Sequence, residues 1–194
     1  MANKASNVTA GTPKVGGSIF HALKGTTLPT DAKSTLDKAF AGLGYVSEDG
    51  VTQSEEIETN TVKAWGGDVV MASQTGKTFT YEFTLIEALN EEVQKLVHGA
   101  DNVEGSLSNG LTVKGNTTEL VAESFVIEQI MNGDVLKRTV VPNGKITSLG
   151  EVTYKDGEAV GYDVTITAFP DDDGNSYYDY YVTSATTTSV ADGE

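Results

Sequence analysis

The sequence predicts a mainly β protein: an antiparallel β-sandwich or flattened barrel with one packed α-helix at about residues 84–98 and a short helix at about residues 31–42. Three observations carry that expectation. Period-two alternation recurs along the chain, most cleanly at Val160 to Ala168, where Val160, Tyr162, Val164, Ile166 and Ala168 face one way and Gly161, Asp163, Thr165 and Thr167 the other. Asn109-Gly110, Asn132-Gly133, Asn143-Gly144, Asp156-Gly157 and Asp173-Gly174 are dipeptides that tolerate the positive φ of tight hairpin turns, so a meander is the natural connection. One stretch alone has a strong helical period: Leu85, Leu89, Val93, Leu96 and Val97 form a stripe ended by Gly99, behind a capping-box pattern at Thr84 and Glu87.

The 194 residues are read as a single domain, 1–194, and the 38% of hydrophobic residues becomes roughly 49% once the 21 glycines are counted, which suits a folded core. Residues 1–14 are small and polar, an N-terminal arm without a core of its own. Val15 to Leu23 reads as a first strand. Pro29-Thr30-Asp31 then opens the short helical pattern, with Leu36, Phe40 and Leu43 on one face and Gly42 and Gly44 as stops. Residues 44–76 read as a long loop region, because from Gly44 to about Asn60 there is little periodicity and much Ser, Thr, Glu and Gly. Thr78 to Phe83 returns to alternation, with Phe79, Tyr81 and Phe83 on the dry face and Thr78, Thr80 and Glu82 on the wet one. After the long helix, Glu119 to Met131 and Asp134 to Val141 read as a hairpin turning at Asn132-Gly133. Tyr177, Tyr178, Tyr180 and Tyr181 crowd a last strand, and residues 183–194 form a polar tail.

Charge narrows the function classes. The net charge is −15, yet the first 38 residues carry five lysines against Asp31 and Asp37, a net of +3, while residues 151–194 carry ten acids against Lys155, a net of −9. A chain this acidic, with Arg138 its one arginine, does not bind duplex DNA non-specifically, since that binding comes from cations that displace counterions. No apolar run reaches the roughly 18 residues of a membrane span, and the first residues lack the apolar core of a secretion signal, so the protein is expected to stay where it is made. With no cysteine there is no disulfide and no thiolate metal site.

Catalysis finds no support in the residues. His21 and His98 are the only imidazoles, one in a strand and one in the last turn of a helix where its charged form would suit the macrodipole, and both are expected to be structural. Asp171-Asp172-Asp173-Gly174-Asn175 fails as a calcium loop, because Phe169 stands at its first ligand place and Tyr180 at its last. Gly42-Leu43-Gly44 lacks a third glycine at dinucleotide-loop spacing. No catalytic residue, metal ligand or cofactor is therefore expected. Trp65, beside Gly66 and Gly67, suits either a core anchor or an anchor at a subunit contact.

Leu43-Gly44-Tyr45-Val46-Ser47-Glu48-Asp49-Gly50-Val51, preceded by Gly16 to Ala22 and by Thr26 to Ala32, resembles the signature of phage major tail tube proteins of long, non-contractile, siphovirus-type tails. The likeness is strong over about residues 12–100. It implies a structural virion protein and no enzyme: homo-hexameric rings, each subunit adding strands to a continuous inner barrel, stack into a tube whose lumen conducts genomic DNA during ejection. It implies other tail proteins as partners (tape measure, terminator and distal tail), transient passage of DNA, no membrane, and a place in the virion tail after synthesis in the host cytoplasm. An acidic lumen would let DNA slide, and Glu123, Glu128, Asp134, Glu151 and Asp163, in or beside predicted strands, are the candidates to face it. Tyr45, Glu48, Asp49, Trp65, Lys4 and Lys14 are the candidate inter-subunit residues, with the Lys-bearing N-terminal stretch of one ring meeting the acidic C-terminal half or the 44–60 loop of the next. On this reading the Leu43–Val51 loop has no core role and its deletion leaves a folded monomer. Nothing after Val182 reads as the immunoglobulin-like domain that many relatives append. Two alternatives remain: a secreted or surface β-sandwich adhesion or pilus-like polymer subunit, and an Hcp-like secretion tube.

Overall fold

The computed structural model describes residues 3–14, 17–132 and 134–184. Half of the chain is strand and the main sheet is antiparallel and open rather than a closed barrel, so the sandwich-like form of the expected β fold is the one adopted. Its strands are β1 (Gly11–Pro13), β2 (Ile19–Leu23), β3 (Ala41–Gly42), β4 (Val46–Lys63), β5 (Val69–Leu85), β8 (Glu123–Met131), β9 (Val135–Leu149), β10 (Tyr162–Ala168) and β11 (Tyr178–Thr183). A separate two-stranded sheet is made by β6 (Val103–Ser106) and β7 (Gly110–Val113), and the turn expected at Asn109-Gly110 spans residues 107–109 with Gly110 already paired to Ser106. The main sheet runs β3-β2-β8-β9-β10-β5-β4, with β1 on the far end of β8 and β11 on the first half of β9. β9 is long enough to serve two neighbours in turn, β11 over Val135–Val140 and β10 over Gly144–Leu149.

The core lies between the inward face of β5 and β10 (Tyr81, Phe83, Leu85, Tyr162, Val164, Ile166) and a cover made of Ile19, Leu43, Phe125 and the helix α1 (Glu91–His98), which contributes Val93, Leu96 and Val97. The alternation predicted for Val160 to Ala168 is realised in β10, whose burial follows that pattern from Tyr162 to Ala168. Gly144 sits inside β9, and a side chain there would strike the Phe125 ring at 2.6 Å. Asn143-Gly144 is thus a close-packing glycine within a strand and not the expected turn.

Both helix expectations need correction. Residues 31–42 form no helix. The Asp31 carboxylate takes the N–H groups of Lys33 and Ser34, the Asp37 carboxylate takes that of Ala39, and Arg138 takes the carbonyls of Asp31 and Ser34 that a helix would use. The second helix begins at Glu91 rather than near Thr84. Leu85 belongs with Tyr81 and Phe83 to the buried face of β5, and Thr84 Oγ1 donates to Asp163 Oδ1 at 2.5 Å rather than capping a helix. The cap is Asn90, whose side chain accepts from the Glu92 N–H at 3.0 Å, and Leu89 is exposed.

The long loop expected over residues 44–76 is also corrected: it is the β4–β5 hairpin, paired from Val46↔Leu85 to Lys63↔Val69. Alternation appears in a sequence only where one face is dry, and from Thr52 to Thr75 every residue is exposed. That stretch therefore reads as a loop although Val, Ile and Thr suit a strand. Leu43 is fully buried, and Val46 and Val51 pack against the core, so the Leu43–Val51 segment does have a core role.

Candidate functional site

Three features of the sheet have no use within the subunit: a polar face, two free edges and a protruding arm. The face opposite the core on β4, β5, β10 and β9 carries cross-strand rows of hydroxyl and acidic residues. One row runs Thr52, Glu82, Thr165, Ser148; the next runs Ser54, Thr80, Thr167, Lys145; Thr84 and Asp163 stand beside them. Lys145, the only cation in these rows, is held by Glu119. Net negative charge on this face comes from Glu82 and Asp163.

The four strands are antiparallel at every junction. β8 leaves β9 at Gly144, so Lys145–Leu149 has β10 on one side and, among the described residues, no strand on the other. β4 likewise has, among the described residues, β5 as its only partner along its length. Each edge offers unpaired backbone N–H and C=O groups, which sheet proteins ordinarily cover or blunt.

Beyond the end of β10 at Ala168↔Phe79 the hairpin continues alone. From Ile57 to its tip at Trp65 it extends about 26 Å at ~3.3 Å per residue. Trp65 is fully exposed, and Ile57, Val62, Val69, Val70 and Met71 around it are between 43% and 64% exposed. An isolated two-stranded ribbon is marginal in water, and this one concentrates exposed apolar residues at its tip. Trp65 is no core anchor in this subunit.

The remaining candidates separate clearly. Tyr45, Glu48 and Asp49 are all exposed, Tyr45 just before β4 and the two acids on the bulge where its register shifts between Val46 and Val51. Lys4 is exposed, whereas Lys14 binds Glu128 at 2.7 Å. Glu128 is buried between Lys14 and Arg138, and Glu123 is held at 2.5 Å by Nδ1 of the buried His21. Glu128 is thus engaged by two cations and Glu123 by a hydrogen bond to His21 inside the subunit, and neither side chain is exposed. Asp134 is exposed at the β8–β9 turn with φ 56°, Glu151 is exposed after β9, and Asp163 lies on the polar face. Glu82, on the wet face that the sequence predicts for its strand, lies on the same polar face as Asp163. His98 packs edge-on against Tyr162, and burial pulls its pKa below the ordinary histidine value.

The signature turn is fixed by one carboxylate. Glu87 Oε1 accepts from the Tyr45 N–H at 2.9 Å while Oε2 accepts from Asn90 at 3.1 Å, tying the turn to the helix cap. Gly44 has φ 76°, and a Cβ there would lie 2.1 Å from the Glu87 carboxylate. Gly44→Ala combines left-handed strain with loss of that contact, and is expected to cost about 2–4 kcal/mol in urea unfolding. A cost under about 0.5 kcal/mol would show that the turn is not held this way.

A protein-family model described as "Phage tail tube protein" matches residues 1–191. No curated protein matches the chain.

Proposed function

The chain belongs to the phage tail tube protein family, and from that premise we propose that it forms six-membered rings that stack into a tube whose lumen conducts genomic DNA. The family makes it a structural tail subunit of the virion that assembles into a polymeric tube with other tail proteins. The observation that carries the ring is the pair of free edges on one four-stranded sheet. Because its strands alternate in direction, β4 of one copy meets the Lys145–Leu149 edge of the next in antiparallel sense, and the sheet continues from copy to copy until it closes. Six copies of four strands make a barrel about 45–52 Å between opposite backbones, at ~4.8 Å strand spacing and ~35–45° tilt. After side chains are added, that bore still clears duplex DNA.

In this reading the polar face lines the bore. Glu82 and Asp163 set its charge and the threonine and serine hydroxyls keep it wet, so phosphates are repelled and no counterion is released to hold them. Stacking is head to tail, a contact that repeats without closing. Electron microscopy of the purified protein tests the assembly: hollow tubes with six-fold rings are expected, and monomers or solid fibrils would remove the proposal. The lumen assignment has its own test. Tubes of Glu82→Lys with Asp163→Lys are expected to retain duplex DNA at low salt and release it as salt rises, while wild-type tubes pass it. If the variant tubes ignore DNA, the polar face does not line the bore.

A further inference from the structure

The expected contact between a basic stretch and an acidic one can be narrowed to particular residues. Eight of the thirteen Lys and Arg residues are held in ion pairs among the described residues: Lys14, Lys77, Lys95, Lys114, Lys137, Arg138, Lys145 and Lys155. The other five are Lys4, Lys24, Lys33, Lys38 and Lys63, and three of these lie on one irregular excursion between β2 and β3. All three are exposed. The excursion's own carboxylates are turned onto its backbone, Asp31 onto Lys33 and Ser34 and Asp37 onto Ala39. It is also rigidly seated, since buried Arg138 donates to the carbonyls of Asp31 and Ser34 at 2.7 and 2.9 Å. A fixed, cationic, unpartnered surface on a chain of net charge −15 fits an acidic face of another copy.

The arm supplies such a face. Glu56 and Glu58 continue the Thr52–Ser54 side of β4 opposite Thr78 and Gly76, past the end of β10 and so beyond the four-strand face assigned to the bore, and neither has a cation partner among the described residues. Glu55, pointing the other way, is already bound to Lys77 at 2.6 Å. We propose that the arm of one copy lays its Glu56–Glu58 face against Lys33 and Lys38 on the excursion of a second copy. The proposal rests on the tube reading and specifies one heterologous contact within it. Lys14, tied to Glu128, has no part in this contact. Its electrostatic character makes growth weaken as the screening length falls from ~10 Å at 0.1 M salt to ~3 Å at 1 M.

Charge reversal on the two sides gives the test. Lys33→Glu with Lys38→Glu, and separately Glu56→Lys with Glu58→Lys, change exposed side chains, so both proteins should keep wild-type circular dichroism and melting. Each variant alone now opposes like charges, and its critical concentration for tube growth should rise about tenfold or more. Mixed in equal amounts, each variant meets opposite charge on the other, and tubes containing both should return near the wild-type concentration. Growth of either variant alone at the wild-type concentration overturns the contact, as does failure of the folded variants to co-polymerise. Wild-type protein that forms no tubes overturns the tube reading itself, and the contact with it.

Discussion

Replacing residues 58–76 by a two-residue Asn-Gly turn is expected to leave a folded monomer that forms neither rings nor tubes. Ile57 and Lys77 are directly opposed, so a two-residue turn closes the shortened hairpin without changing register, and the Glu55–Lys77 ion pair is retained. What is removed is exposed throughout except for the half-buried Gly76, so the melting temperature should move by no more than about 3 °C. Polymer growth should be lost altogether, because the excision removes the apolar tip, Glu58 and about a third of the free β4 edge. Deleting Leu43–Val51 should do the reverse and unfold the subunit. Leu43 is wholly buried and its N–H donates to the Ile19 carbonyl at 3.0 Å; truncating such a leucine alone costs about 2–5 kcal/mol. Calorimetry and electron microscopy on the two deletions separate the roles. Tubes built by the arm-less protein, or an arm-less protein that does not fold, would remove the arm from assembly.

The contrast between these segments explains what the sequence made legible. β10 could be read residue by residue because the core lies against one face and water against the other, and burial writes a period of two. The arm lacks that contrast, being wet on both sides, so a strand of 18 residues carries a loop's composition. The signature segment misleads in the opposite direction, since buried Leu43 and half-buried Val46 and Val51 follow no single period, and the last two bracket a bulge. Helix boundaries failed where side chains found better partners than the backbone: Thr84 with Asp163, Glu87 with Tyr45, Asp31 with its own turn. On the functional side, Asp163 could be chosen from its place opposite a buried alternation, whereas the partners of Glu123 and Glu128 depend on pairing. That pairing was partly within reach. Counting outward from a two-residue Asn132-Gly133 turn puts Glu128 opposite Lys137, one residue short of Arg138, because Met131 pairs with Val135 and Asp134 is left in the turn as well.

That pair also sets the largest stability effect of a single substitution. Arg138 is 1% exposed, and its guanidinium satisfies Glu128, the carbonyls of Asp31 and Ser34 and the Ser34 hydroxyl at once. Arg138→Met leaves Glu128 buried with Lys14 alone and strips two carbonyls of their donor, so a loss of about 3–5 kcal/mol is expected. For a chain of this size that is a melting temperature lower by about 8–15 °C. Adding Glu128→Leu should recover part of the loss by removing the stranded charge, while Lys14, 41% exposed at its side chain, is rehydrated. Arg138→Lys separates stability from assembly. A lysine can keep the charge pair with Glu128 but has no planar fork to hold both carbonyls of the excursion. That variant should stay folded yet polymerise less readily, since Lys33 and Lys38 would no longer sit on a fixed surface. If Arg138→Met costs under about 1 kcal/mol, the buried pair is not what seats the excursion, and its cations need another source of order.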